Sequence, residues 1–212
     1  MQEQLQEQLQ VALEPINEAL ASADKARERG LSHCRSVIRC CGRSIQAIHR
    51  GDISTFTTLA DEAEAQLRIA QDALRDHPRV AFAGFLHDAE KEYAEARLTF
   101  ALVYEQPVPT HEELQVQPPA WLNGIAEAAS ELRRNLLDKL RAGEAQIAER
   151  LLSAMQAVYD LLITVDYPDA ITAGLRRSND ALRAVLERSR ADVTTTVLQE
   201  RFRADLHDAL EH

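Results

Sequence analysis

The chain has 212 residues, 45% of them hydrophobic, and carries 24 Lys and Arg against 34 Asp and Glu, a formal charge of −10. That size and apolar content suit one substantial domain or two small ones with a real core, and the acidic balance argues against blanket attraction to nucleic acid while leaving room for a local basic face. Seven Gly and seven Pro, in a chain rich in Ala, Leu, Glu, Gln and Arg, point to helices.

No Pro/Gly/Ser-rich linker divides the chain, so a single all-α domain over residues 1–212 is expected. Residues 2–29 read as a helix, with Leu5, Leu9, Leu13, Ile16 and Leu20 spaced at three and four. Pro15 marks a candidate kink inside it, and Gly30 either interrupts the helix or is carried through. The helical pattern continues over 31–49 and stops at Arg50-Gly51-Asp52. A second helix is expected from about Ser54 to Leu74, ending before Pro78. A third covers about Arg79 to Tyr104, followed by a loop from Glu105 to Gln117 that contains Pro107 and Pro109. Pro118-Pro119 opens a fourth helix to about Leu140, since proline is tolerated in a first turn. A fifth runs from Gly143 to Val165, and Asp166 to Asp169 form a turn. A sixth (170–189) and a seventh (about 192–210) complete a bundle of about seven helices.

Three cysteines, Cys34, Cys40 and Cys41, make an odd number with no disulfide framework. They read as reduced thiols of a cytoplasmic protein. The first residues, Met1-Gln2-Glu3-Gln4-Leu5, show neither the basic region nor the apolar run of a signal peptide. No stretch of about 18 apolar residues predicts a membrane span.

Two patterns carry possible chemistry. Wound at 100° per residue, 32–50 puts Cys34, Val37, Ile38, Cys41, Ile45 and Ile48 on one side and Arg35, Arg39, Arg43 and Arg50 on nearly the other. Such a stripe can neutralise successive phosphates of a nucleic acid. It equally fits a solvated face, or arginines paired with acids of a neighbouring helix or subunit. No aromatic residues interleave it, so base stacking is not suggested.

The second pattern is acidic. Asp88, Glu92 and Glu95 fall on one side of the third helix, beside an expected buried stripe of Phe82, Leu86, Ala89, Tyr93, Phe100 and Tyr104. Glu127 and Glu131 share a side of the fourth helix with Gly124, whose missing side chain would admit a second backbone. Close carboxylates repel unless a proton or a cation relieves them, and Mg²⁺ or Mn²⁺ prefers oxygen ligands. Glutamates at three and four are also common on solvated faces. His87 and His111 do not stand at ligand spacing from these acids, and Glu-x-x-His is absent, which argues against a di-iron bundle.

Taken in order, several segments resemble the translin superfamily, which includes translin and translin-associated factor X. They are Ile48-His49-Arg50-Gly51-Asp52, Glu92-Tyr93-Ala94-Glu95-Ala96, Leu122 to Arg134, Val158-Tyr159-Asp160 and Gly174-Leu175-Arg176-Arg177. The look is that of the compact prokaryotic members. The resemblance implies a seven-helix all-α bundle that assembles into homo-oligomers and binds single-stranded RNA or single-stranded DNA. For the factor X branch it also implies a Mg²⁺-dependent endoribonuclease, its catalytic and metal-holding acids falling on Glu92, Glu95, Glu127 and Glu131. One position departs: the nuclease members resemble Asp-x-x-x-Glu where this chain has Glu127. Arg39, Arg43 and Arg50 lead the expected RNA contacts. The competing expectations are a non-catalytic nucleic-acid-binding oligomer and an all-α nucleotide pyrophosphohydrolase, which also uses Glu-x-x-Glu with Mg²⁺.

Overall fold

The computed structural model describes residues 1–211. Among them lie nine helices: α1 (Gln2–His49), α2 (Ile53–Leu74), α3 (Pro78–Ala81), α4 (Phe85–Val103), α5 (His111–Leu114), α6 (Pro118–Arg141), α7 (Ala145–Leu162), α8 (Asp169–Thr172) and α9 (Leu175–Glu211). The all-α expectation holds. The count differs from seven because α3, α5 and α8 add single turns of 4 residues each while the last two expected helices merge into α9.

α1 is one rod of 48 residues, continuous across both Pro15 and Gly30. Gly30 is carried through because of its neighbour. A Cβ there would lie 2.9 Å from two carbons of the Leu74 side chain. Glycine in a helix interior costs about 1 kcal/mol relative to alanine, and here the missing side chain lets the end of α2 close onto α1. Asp52 then caps α2, its side chain accepting the Thr55 N–H at 3.0 Å.

Three expected boundaries move. The helix expected over 79–104 breaks between α3 and α4, where Gly84 takes φ 99°, outside the right-handed helical region. Phe82, expected in the buried stripe, lies at that break and is 88% exposed. The loop expected over 105–117 holds α5, started by a capping box. Thr110 Oγ1 accepts the Glu113 N–H at 3.1 Å, and the Thr110 N–H donates to Glu113 Oε2 at 2.8 Å. The sixth and seventh expected helices are one. The chain turns instead at Ala173 (φ 52°) and Gly174 (φ 85°), and α9 runs on unbroken. The expected break at 189–192 is a docking point on α6: Arg133 donates to Ser189 Oγ at 3.0 Å and to Asp192 Oδ2 at 2.7 Å. The β-branched run Val193 to Val197 stays helical with Val193 buried, packing overriding propensity.

α1 packs on α2 and α4, and α6 packs on α4, α7 and α9. The larger core joins Cys34, Val37 and Cys41 of α1 to Leu67, Tyr93, Leu98 and Ile125. A second cluster gathers Leu132, Leu136, Leu151, Met155 and Leu186. Each such Leu or Met contributes about 1.5–3 kcal/mol by leaving water. Ile38, expected on the inner side of α1, is exposed. Among the described residues no helix is long and apolar enough to cross a membrane.

Candidate metal and nucleic-acid site

The site begins with a residue that has no side chain. A Cβ on Gly124 of α6 would meet Ala94 Cβ at 2.9 Å, the Lys91 carbonyl oxygen at 3.0 Å and the Glu95 nitrogen at 3.1 Å. The backbones of α4 and α6 therefore touch at this point, with Ala94, Ala120 and Ala128 buried along the seam. The acids on its flanks are drawn in. Glu92, Glu95 and Glu127 each offer a carboxylate oxygen, all within 4.8 Å of one another. The longer Glu127, where an aspartate was the expected residue, reaches the other two. Asp88, a turn earlier, is exposed and outside this cluster.

Burial makes the cluster electrostatically tense. Glu95 is 7% exposed. Desolvation, then the charges of Glu127, Glu92 and Glu131, push its carboxyl up to about 9, with Lys91 opposing. Glu92 is also raised, chiefly by burial; Lys91 opposes that rise while Glu127 adds to it. Glu90, on the same helix and equally buried, is a contrast. It accepts from the Gln117 N–H at 3.1 Å and from Gln71 Nε2 at 2.8 Å, the hydrogen bonding that a buried charge requires. Glu95 has no such bond among the described residues.

The sequence reading gave no role to two residues that complete the picture. Lys91 Nζ donates to Glu127 Oε1 at 2.7 Å and lies 3.6 Å from Glu92 Oε1. Burial pulls its pKa down, and the bond to Glu127 with the surrounding carboxylates outweighs that, leaving it raised. The second is His49, at the end of α1, whose side chain is 2% exposed. Its Nε2 pairs with Glu131 Oε2 at 2.9 Å and its Nδ1 with the side-chain amide of Asn135 at 2.6 Å. Of the four expected glutamates, three converge and the fourth, Glu131, is held by His49. The signal for His49 was its place beside Ile48 on the inner edge of α1. For Lys91 it was adjacency to Glu92.

Arg35, Arg39, Arg43 and Arg50 are all exposed, and among the described residues none forms an ion pair. Arg39 donates to Ser36 Oγ at 2.8 Å. Arg50 follows His49 in the chain, and the stripe from Arg35 to Arg50 spans about 22 Å along α1. Next to Glu127 a groove of about 450 Å³ opens between α4, α6 and the start of α9, its walls including His87, Lys91, Glu127, Ser130 and Arg177.

An all-α fold, a small-residue seam between α4 and α6 and a cluster of three carboxylates on its flanks define a helical-bundle protein with a concentrated acidic site. No protein-family model matches the chain. An uncharacterized protein of Methanocaldococcus jannaschii is 27% identical over 203 residues, which span 93% of this chain and 90% of that one. The crystal structure of AfC3PO is 32% identical with a TM-score of 0.81, over 89% of this chain and 98% of that chain. AfC3PO in complex with duplex RNA aligns at 30% identity and the same TM-score of 0.81, over 89% and 97%. Apo-NeC3PO, at 18% identity and a TM-score of 0.78 over 87% and 96%, shares the fold. The chain belongs to the translin superfamily.

Proposed function

We propose that this chain is an RNA-binding protein that cleaves RNA with a divalent cation, Mg²⁺ or Mn²⁺, held by Glu92, Glu95 and Glu127. The observation that carries the reading is the convergence of those three carboxylates within 4.8 Å on two touching helices. The donor set fits a hard cation: it is all oxygen, one member is buried, and the mutual repulsion that raises Glu95 is what a cation relieves. When bound, such an ion polarises a phosphodiester and lowers the pKa of an attacking water. The protein's own residues do the rest. The α4–α6 seam fixes the spacing of the acids, and His49 orients Glu131 beside them. Arg50, Arg43, Arg39 and Arg35 offer a line of unpaired cations to successive phosphates.

RNA is favoured as the polymer because AfC3PO has been solved with duplex RNA. That relative widens the expected single-stranded RNA or single-stranded DNA substrate to RNA in either form. Homo-oligomer assembly belongs to the same reading. Leu5, Leu9, Leu13, Ile16 and Leu20 of α1 and Leu198, Phe202, Leu206 and Leu210 of α9 are exposed, and stripes of that length call for cover.

The test is cleavage of end-labelled single-stranded and duplex RNA with MgCl₂ or MnCl₂, by the wild type and by Glu95→Gln. Cleavage that Glu95→Gln and a chelator both abolish supports the enzyme. RNA binding with no cleavage under any divalent ion overturns it in favour of a non-catalytic binding protein, a reading that the Lys91–Glu127 pair favours because it already offsets one of the three carboxylates.

A further inference from the structure

Lys91 occupies an unusual position. Its ammonium sits among the carboxylates that the proposed function assigns to a metal, 2.7 Å from Glu127 and 3.6 Å from Glu92. Two cations cannot share those oxygens without mutual repulsion of several kcal/mol at 4 Å in a protein interior, roughly 4 kcal/mol per unit charge pair at an effective dielectric constant of 20. The groove between α4, α6 and α9 is bordered by Lys91 itself. There His87 and Arg177 have no side-chain hydrogen bond or ion pair among the described residues, and Asp88 is the acid on that wall besides Glu127. While Lys91 is bound to Glu127, the groove gains little positive charge from it. Once Lys91 lets go, it and Arg177 face one space of a size that takes a phosphate and part of a nucleotide. This gives Gly174-Leu175-Arg176-Arg177, until now without a role, a place next to the acids.

We infer that Lys91 is the resident counter-ion of the acid cluster, displaced by an incoming divalent cation into the α4–α6–α9 groove, where with Arg177 it holds a phosphate of the RNA strand. The inference rests on the proposed function, since it assumes that the acids take a cation. Its consequence is coupling: metal and strand each make room for the other, and by linkage each improves the other's affinity by the same factor.

Calorimetric titration of Mn²⁺ into wild type, Lys91→Met, Lys91→Gln and Arg177→Ala, with and without a cleavage-resistant 2′-O-methyl RNA, tests it. Methionine keeps the apolar stem and glutamine keeps a polar tip, so agreement between the two isolates the charge. Both Lys91 variants should bind Mn²⁺ at least about tenfold more tightly than wild type without RNA, and RNA should no longer improve that affinity. Arg177→Ala should leave Mn²⁺ affinity unchanged without RNA and weaken RNA binding in its presence. Unchanged or weaker Mn²⁺ binding in both Lys91 variants, or coupling that survives them, overturns the inference while leaving the metal site standing. If neither wild type nor the Lys91 variants take up Mn²⁺, the proposed function itself falls and the inference with it.

Discussion

α1 contains two halves that look alike in sequence and end in opposite surroundings. Leu5, Leu9, Leu13, Ile16 and Leu20 in the first half repeat at three and four, as do Cys34, Val37, Cys41, Ile45 and Ile48 in the second. The first set is exposed and the second is buried against α2 and α4. Periodicity states that a face needs cover. It does not state whether the cover comes from the same chain. The second half also carries the functional elements, His49 at its inner end and the arginine stripe outside, because only a helix fixed on the core can aim side chains at a site.

The largest effects should separate the halves directly. Val37→Asp puts an unpaired carboxylate into the core and is expected to cost about 3–5 kcal/mol, enough to unfold a typical domain or leave it marginal. Leu13→Asp should leave the helical circular dichroism signal nearly intact and reduce the assembly mass seen by light scattering. If Leu13→Asp leaves the mass unchanged, the first half is not an assembly surface. If Val37→Asp melts like wild type, the contrast between the halves collapses.

What was legible follows the same division. The fold class, the α6 helix and the face of α4 bearing Glu92 and Glu95 were readable, because each depends on local period and on proline at Pro118-Pro119. The turn at Ala173-Gly174 was not, since Gly174 sits in a sequence that otherwise reads as helix and Ala173 gives no sign of its left-handed φ. The break expected near 190 failed for the opposite reason, as Arg133 reaches across from α6 to Ser189 and Asp192. In the site, the closeness of Glu127 to Glu92 and Glu95 could be guessed from Gly124. For His49 and Lys91 the sequence offered only their neighbours Ile48 and Glu92, because their partners lie across 82 and 36 residues of chain.

A buried half that fixes a tense cluster should reveal that tension as pH dependence. Glu95 holds its proton up to about 9 in the folded protein against an ordinary value of 4.5. Between those values unfolding releases a proton, so this group's contribution to stability falls as pH rises from about 4.5 to about 9 and is flat beyond. Glu95→Gln should remove that part of the slope, gaining a few kcal/mol over wild type at the alkaline end in the absence of divalent ions. Excess MgCl₂ should narrow the gap by stabilising wild type alone. Urea melts from pH 5 to 9 give the comparison, and parallel curves for the two proteins would mean that Glu95 is not held protonated by its surroundings.

The smallest change tests how much of the site is backbone. Gly124→Ala adds one carbon, which would stand 2.9 Å from Ala94 Cβ and 3.0 Å from the Lys91 carbonyl oxygen. Neither neighbour is a flexible side-chain tip, so α4 and α6 must separate by some tenths of an ångström. A cost of about 1–3 kcal/mol is expected from overpacking, partly offset by alanine's better helix propensity. The fall in melting temperature is the minor readout. Because Lys91, Glu92 and Glu95 lie on the α4 side of that contact and Glu127 on the other, separation also loosens the oxygen cluster, and Mn²⁺ affinity should fall more than stability does. An equal Mn²⁺ affinity in Gly124→Ala and wild type would show that the acids keep their spacing without the seam, and the buried scaffold would then be only a support and not the ruler of the site.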